Sequence, residues 1–199
     1  MSITYSHKGK EDGFTLIELL IAIAISGIVI GSLFSFIIVQ RKYFNLQGQI
    51  TEMVQGARAA VNMMSNDIMV AGYHPTGATF VGIPYNTAQL EIRADLNGNG
   101  VITDPNEDII YSYDSTNKRI VRNTGGGNQP FAENVQAFTF AYLDALGNPT
   151  PVSANIRQIR ITITVRTSKP DRQYSTNGGY RTYTLTSRVT ARNLAYFAY

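Results

Sequence analysis

Side chains that commonly perform catalysis or bind metals are scarce in this chain of 199 residues. It has no cysteine and only two histidines, His7 and His74, which excludes thiol catalysis, thiolate zinc sites, disulfide frameworks and multi-histidine metal centres. His74 stands beside Pro75 in a predicted turn, and Asp67 has no visible acid or nucleophile partner, so we predict that the protein is not an enzyme. The net charge of +3 is small and no cluster of five Lys or Arg occurs, so nucleic-acid binding is not expected.

Oxygen-bearing side chains alternate with other residues at the start of residues 95–108. Asp95, Asn97 and Asn99 occupy every second position, Gly100 permits a tight turn, and Val101 offers its backbone carbonyl. This pattern resembles the first half of an EF-hand-type calcium loop, in which side-chain and carbonyl oxygens surround the ion. The segment is therefore a candidate calcium site with a structural role.

The second half of this segment departs from the EF-hand pattern. Asn106 stands where a bidentate Glu is expected, Glu107 comes one residue late, and strands rather than helices are predicted on both sides. A calcium ion would need Asp104, Glu107 or Asp108 to complete its oxygen shell. The alternative interpretation is a polar turn without an ion.

One carboxylate, Glu18, lies in the otherwise uncharged apolar run of residues 14–39. As a helix at ~1.5 Å per residue, this run spans roughly 39 Å, enough to cross a hydrocarbon core of ~30 Å. Gln40, Arg41 and Lys42 end it. An unpaired carboxylate well inside a bilayer costs ~2.5–3.5 kcal/mol on insertion scales, so Glu18 requires an explanation.

Three interpretations of the apolar run are open. A cleaved secretory signal has an apolar core of roughly 7–15 residues before a small-residue cleavage site, and this run is nearly twice that length. A plain membrane anchor leaves Glu18 unexplained. A helix that leaves the membrane and packs against copies of itself would give Glu18 a partner.

The helical pattern continues beyond Lys42, which favours the third interpretation. Apolar residues recur at spacings of three and four, with polar residues on the other face: Leu46, Ile50, Met53, Ala57, Ala60, Met64 and Ile68. No proline precedes Pro75, and Gly72 suits a helix C-cap. We predict one long helix from Phe14 to about Ala71, with a transmembrane and assembly half over residues 14–39 and an amphipathic half over residues 40–72.

The string GFTLIELLIA, which starts at Gly13, resembles the prepilin signature of type IV pilins and type II secretion pseudopilins. The shared features are a short charged leader, a Gly, an aromatic residue, and a Glu five residues after the Gly in an apolar helix. The resemblance implies a leader over residues 1–13, cleavage between Gly13 and Phe14 by a prepilin peptidase, and N-methylation of the new Phe14 amine. It also implies that Glu18 pairs with the terminal amine of a neighbouring subunit during assembly.

The C-terminal half is predicted to be β-rich. β-Branched or alternating runs predict strands over residues 80–83, 89–93, 109–113, 119–122, 135–143, 156–167 and 180–192. In one of them Ile159, Ile161, Ile163 and Val165 share a face opposite Arg and Thr, as in an antiparallel sheet packed on a helix. We predict an α+β fold in which the long N-terminal helix packs on an antiparallel sheet, with a pilin-like head over residues 73–199.

Residues 67–73 and 133–138 resemble the PilW-like, pseudopilin-J-like branch of minor pilins. This resemblance implies a minor pilin that primes pilus assembly with other minor pilins, the major pilin and the inner-membrane assembly platform. The precursor would cross the inner membrane once, with a periplasmic head, and later enter the fibre at the cell surface. The alternatives are a J-type pseudopilin of type II secretion and a membrane-tethered module for calcium-dependent binding or adhesion.

Overall fold

The computed structural model describes residues 13–196. Residues 1–12 of the predicted leader therefore lie outside the described part. The chain divides into two compact units, Met1–Leu46 and Gln47–Tyr199.

The first element, α1, is a helix of 55 residues, Leu16–Val70. It ends where the sequence predicts, because Gly72 adopts a φ of +76° and the Tyr73 amide donates to the Val70 carbonyl at 3.0 Å. A Cβ atom at Gly72 would lie 2.4 Å from Leu194 Cδ2. Both the backbone conformation and the neighbouring side chain therefore require glycine here.

Within the second unit, α1 buries one narrow face of small and aliphatic side chains: Ala57, Ala60, Val61, Met64 and Ile68. Met53, about one turn before Ala57, is half-buried against the same core. Four of the five buried residues belong to the predicted apolar stripe, so the spacing identified the correct face.

Seven strands follow: β1 (Gln89–Arg93), β2 (Asp108–Asp114), β3 (Arg119–Asn123), β4 (Asn128–Ala132), β5 (Val135–Leu143), β6 (Gln158–Arg166) and β7 (Thr182–Thr190). They form a four-stranded sheet in the order β1-β2-β3-β4 and a three-stranded sheet in the order β5-β6-β7. Every pairing is antiparallel. A short helix, α2 (Arg192–Tyr196), comes last. The predicted α+β class is confirmed, although two sheets replace the single predicted one.

The boundaries differ from prediction in three places. Residues 80–83 form no strand, although Ile83 is fully buried and the Arg93 amide donates to the Gly82 carbonyl at 2.8 Å. The strand β4 was not predicted because it contains Pro130, which cannot donate to a sheet. It is tolerated because β4 is the edge of its sheet. The predicted last strand, residues 180–192, is shorter at both ends, and its last residue, Arg192, begins helix α2.

The core of the second unit lies between α1 and the inner faces of the sheets. In β6 the residues Ile159, Ile161, Ile163 and Val165 are at most 3% exposed, which confirms the predicted alternation. In β7, Val189 is buried, and Tyr183 and Leu185 pack against the core. The residues of the opposite face, Thr184, Thr186 and Arg188, are exposed.

A polar contact fastens α1 to the four-stranded sheet. The fully buried Tyr111 of β2 donates its hydroxyl to Asp67 at 2.5 Å, and Arg122 Nη2 of β3 reaches the same carboxylate oxygen at 3.1 Å. Burial, followed by the bond to Asp67, raises the pKa of Tyr111 far above its ordinary value. The phenol therefore stays neutral and acts as a hydrogen-bond donor.

Candidate functional site

Two regions carry the predicted site residues, and the first is the start of α1. Gly13, Phe14 and Thr15 precede the helix and are exposed, with Phe14 at 92%. A peptide bond between Gly13 and Phe14 is therefore outside the helical hydrogen-bond ladder. An exposed bond outside the helix is accessible to a peptidase.

Glu18 and Thr15 form a capping box at this helix start. The Thr15 amide and hydroxyl donate to Glu18 Oε2 at 2.9 and 2.7 Å, and the Glu18 amide donates back to the Thr15 hydroxyl at 3.3 Å. These bonds satisfy amide groups that have no partner within the helix. The T-x-x-E spacing was readable in the sequence, but the sequence analysis missed it.

In the first unit, the apolar side chains of α1 are exposed. An 18-residue window of the helix has a mean hydropathy of 2.5 and none of it is buried. By length and composition α1 can cross a membrane. A signal sequence near the N-terminus would meet the same two criteria.

Two serine hydroxyls in this apolar stretch are satisfied within the helix. Ser32 donates to the Val29 carbonyl at 2.7 Å, and Ser35 donates to the Gly31 carbonyl at 3.0 Å. Such bonds to the preceding turn remove the cost of placing a hydroxyl in hydrocarbon.

The second region is the loop between β1 and β2, which contains the predicted calcium residues except Asp108, the first residue of β2. Asp95 is fully buried. Its Oδ1 accepts from the Gly98 and Asn99 amides at 2.8 and 3.1 Å, and its Oδ2 accepts from the Gly100 amide at 3.0 Å. The Thr76 hydroxyl adds a bond at 3.2 Å. Gly100 has a φ of +86°, so the tight turn predicted there is present.

The side chains of Asn97 and Asn99 organise the same loop. Their Oδ1 atoms accept from the Asn99 and Val101 amides at 2.9 and 3.0 Å. Their Nδ2 atoms both donate to Asp104 Oδ2, at 2.7 and 2.6 Å. The structure therefore brings Asp104, from the second half of the loop, next to the two asparagines of the first half.

Glu107 also reaches the start of the loop, although it comes late in the sequence. It is 2% exposed, and its Oε1 accepts from the Leu96 and Asn97 amides at 2.8 and 3.0 Å. Asp108 faces elsewhere: its Oδ2 lies 3.6 Å from Arg93 Nε. Burial and the charge of Glu91 raise the pKa of Asp108, while Arg93 opposes them.

As the side chains stand, no three His, Cys, Asp or Glu residues within residues 13–196 are grouped closely enough to hold a metal ion. The loop contains three acids, but Asp104 is directed at the asparagine amides, and Asp95 and Glu107 at backbone amides. Binding of an ion would therefore involve the asparagine and carbonyl oxygens as well as the acids.

Comparison with known proteins identifies the first region. A model of the prokaryotic N-terminal methylation motif matches residues 8–34, a range that contains Gly13, Phe14 and Glu18. The chain therefore carries an N-terminal methylation motif of the type IV prepilin kind, as the sequence predicts.

Three chains of solved structures also match significantly. One is a type IV-like pilin from Thermus thermophilus, with 14% identity and a TM-score of 0.42, covering 71% of this chain and 97% of that chain. Among curated proteins, none matches this sequence significantly.

Proposed function

We propose that the protein is a minor type IV pilin of the PilW-like branch, which primes pilus assembly together with other minor pilins. The precursor crosses the inner membrane once, with its head in the periplasm. A prepilin peptidase cuts after Gly13, and the new Phe14 amine is methylated. The observation that supports this most directly is the methylation motif over residues 8–34.

The exposed apolar half of α1 fits a helix that changes its surroundings. Side chains pointing in different directions are exposed, for example Leu16 at 78%, Ile28 at 74% and Phe34 at 63%. Lipid can cover all of them in the membrane, and the helices of neighbouring pilins can cover them in the fibre. Removal of this much apolar surface from water favours both states.

Glu18 has a geometry suited to two partners. Both hydrogen bonds from Thr15 go to Oε2, which leaves Oε1 to accept from another donor. In a low-dielectric layer, a carboxylate is stabilised when a cation and hydrogen bonds satisfy its oxygens. The methylated terminal amine of an adjoining subunit would supply that cation. A J-type secretion pseudopilin would use the same contact. A deletion strain distinguishes the two functions, because it would lose pili in one case and type II secretion in the other.

Mass spectrometry of the chain purified from its native membrane tests the processing step. We expect a polypeptide that begins at N-methylated Phe14, and the uncut precursor in cells lacking the peptidase. A native polypeptide that retains its first methionine would contradict the proposal.

Substitution of Glu18 tests the assembly step. We expect Glu18→Val and Glu18→Gln to reach the membrane at wild-type levels but to abolish surface filaments. Glu52→Gln is the matched control, since Glu52 is an exposed acid of the same helix in the second unit. Normal filament numbers in both Glu18 variants would exclude a priming role.

A further inference from the structure

We infer that the loop of residues 95–107 is a calcium site built from three acids, two asparagines and one backbone carbonyl. The ligands are Asp95, Asn97, Asn99, Val101, Asp104 and Glu107. The inference does not depend on the proposed function, since it stands on the geometry of this loop.

The first argument is the buried charge of Asp95. Its carboxylate is fully buried and held by three backbone amides and the Thr76 hydroxyl. Within residues 13–196 it forms no ion pair. A buried charge is costly unless it is paired or coordinates a metal. These four hydrogen bonds fix the carboxylate in place and occupy its four lone-pair sites, so a bound ion would displace at least one of them.

The second argument is an unsatisfied oxygen on Glu107. Its Oε1 accepts from two amides at the start of the loop, yet its Oε2 is buried and has no hydrogen-bond partner in the described structure. A buried acceptor without a partner costs about 1–3 kcal/mol, and more when it is charged. A hard cation beside Oε2 would satisfy it.

A turn explains how Glu107 reaches the loop from one residue beyond the EF-hand position. The Glu107 amide donates to the Asp104 carbonyl at 3.1 Å, which closes a turn with Pro105 and Asn106 at its centre. Asn106 has a φ of +70°, a left-handed conformation that asparagine tolerates better than most residues. This turn accommodates the one additional residue, so the Glu107 carboxylate reaches the Leu96 and Asn97 amides at the start of the loop.

The asparagine side chains complete the oxygen set. Asn97 Oδ1 and Asn99 Oδ1 each accept one backbone amide, and a carbonyl oxygen has two lone pairs, so each retains one for an ion. Asp104 Oδ2 is held by the two amide Nδ2 groups, and an ion would replace them as its partner. Asp108 is left out of the set because it faces Arg93.

The donor set favours Ca²⁺ over Mg²⁺. All six ligands offer oxygen, and carboxylates can bind in bidentate fashion. Ca²⁺ accepts 6–8 oxygens in flexible geometry, roughly at 2.3–2.6 Å, whereas Mg²⁺ requires near-ideal octahedral geometry and usually keeps several waters.

Titration calorimetry of the full chain in detergent, after treatment with chelator, tests the site. We expect a single Ca²⁺ to bind per chain and MgCl₂ to bind much more weakly. Glu107→Gln and Asp104→Asn should each lower the calcium affinity by about tenfold or more, given that even second-shell changes cost ~10–100-fold.

Asp144→Asn is the matched control. Asp144 organises another turn by accepting from the Leu146 and Asn148 amides at 2.9 and 2.8 Å, and we expect its variant to bind calcium like the wild type. The thermal midpoint should rise with calcium in the wild type and the control, and much less in the two ligand variants.

Three results would overturn the inference: no binding by the wild type at millimolar calcium, unchanged affinity in both ligand variants, or an equal loss in the Asp144 control. Circular dichroism checks that each variant folds. If Glu107→Gln does not fold, Asp104→Asn decides the question, because its carboxylate is partly exposed and its replacement retains a hydrogen-bond acceptor.

Discussion

Glu18 and Asp67 are both acids of α1, and their surroundings give them different roles. Asp67 is largely buried beside Arg122 and accepts the Tyr111 hydroxyl, so all its partners belong to the same unit. Glu18 is exposed, and within residues 13–196 its side chain bonds to the neighbouring Thr15. The first acid stabilises the fold, whereas the second can take part in contacts between molecules.

The Tyr111 hydroxyl gives a test of the structural contact. We expect Tyr111→Phe to lower the free energy of unfolding by about 1–3 kcal/mol, because it removes a buried hydrogen bond to a charged group. Urea unfolding of the detergent-solubilised chain, followed by near-ultraviolet circular dichroism, measures this. Tyr73→Phe is the control, since Tyr73 is 42% exposed. An equal effect of the two substitutions would show that the Asp67 contact contributes nothing.

Tyr142 predicts how stability depends on alkaline pH. Burial raises its pKa to about 12, although the Asn86 amide, which donates to the Tyr142 hydroxyl at 3.4 Å, opposes this shift. An unfolded tyrosine has a pKa of about 10, so the folded state holds the proton more tightly. The stabilisation is complete below about pH 10 and is lost as the pH rises through about 12.

We therefore expect the urea midpoint to fall between about pH 10 and 12, and to fall less in Tyr142→Phe. Tyr111 also has a raised pKa, so part of the fall should remain in that variant. Parallel curves for the wild type and Tyr142→Phe would contradict the assignment to Tyr142.

At the scale of elements, the long helix was the easiest part to predict. The periodic apolar stripe, the absence of proline and the glycine cap all agree, and α1 ends at Val70 as expected. The strands with regular alternation, such as β6, were also predicted well. The edge strand β4 was missed because Pro130 removes a donor, a loss that only its place at the sheet edge makes acceptable.

Two glycines, Gly72 just beyond the end of α1 and Gly48 within it, test the helix end. We expect Gly72→Ala to destabilise the second unit by about 1–2 kcal/mol or more, since alanine resists a φ of +76° and its Cβ would meet Leu194. Gly48→Ala, at an exposed helical position with nothing within 4 Å, should stabilise the helix by up to ~1 kcal/mol. Unfolding midpoints that shift in the same direction would refute this difference.

The candidate sites show what sequence could and could not predict. The motif at Gly13, Phe14 and Glu18 was readable because its residue types and spacing are unusual. In the loop, the alternating oxygen donors were readable, but the contribution of Glu107 depends on a turn with positive φ at Asn106. Such a turn requires long-range knowledge, because the Asn106 amide donates to the Thr124 carbonyl far along the chain.

At the scale of the whole molecule, the two units have opposite surfaces. The first exposes its apolar side chains, while the second buries a continuous core that includes Met64, Tyr111 and Ile161. Most of the exposed large apolar side chains belong to the first unit, so we expect the two units to differ in their solubility in water.

Size-exclusion chromatography tests this difference. We expect the full chain to elute as a defined species in detergent and to aggregate when detergent is removed, because the exposed apolar helix then meets water. A fragment of residues 47–199 should remain soluble without detergent, since it retains the described core. A full chain that stays monomeric in plain buffer would contradict the prediction.

The capping box has a consequence for proteolysis. Thr15 and Glu18 both lie on the carboxyl side of the Gly13–Phe14 bond, and their reciprocal bonds involve no atom of the leader. Hydrolysis of that bond would therefore leave the first helical turn unchanged, and the product need not refold. The two species would then differ at this end by the leader itself and by a newly released nitrogen, whose positive charge a neighbouring subunit could recognise.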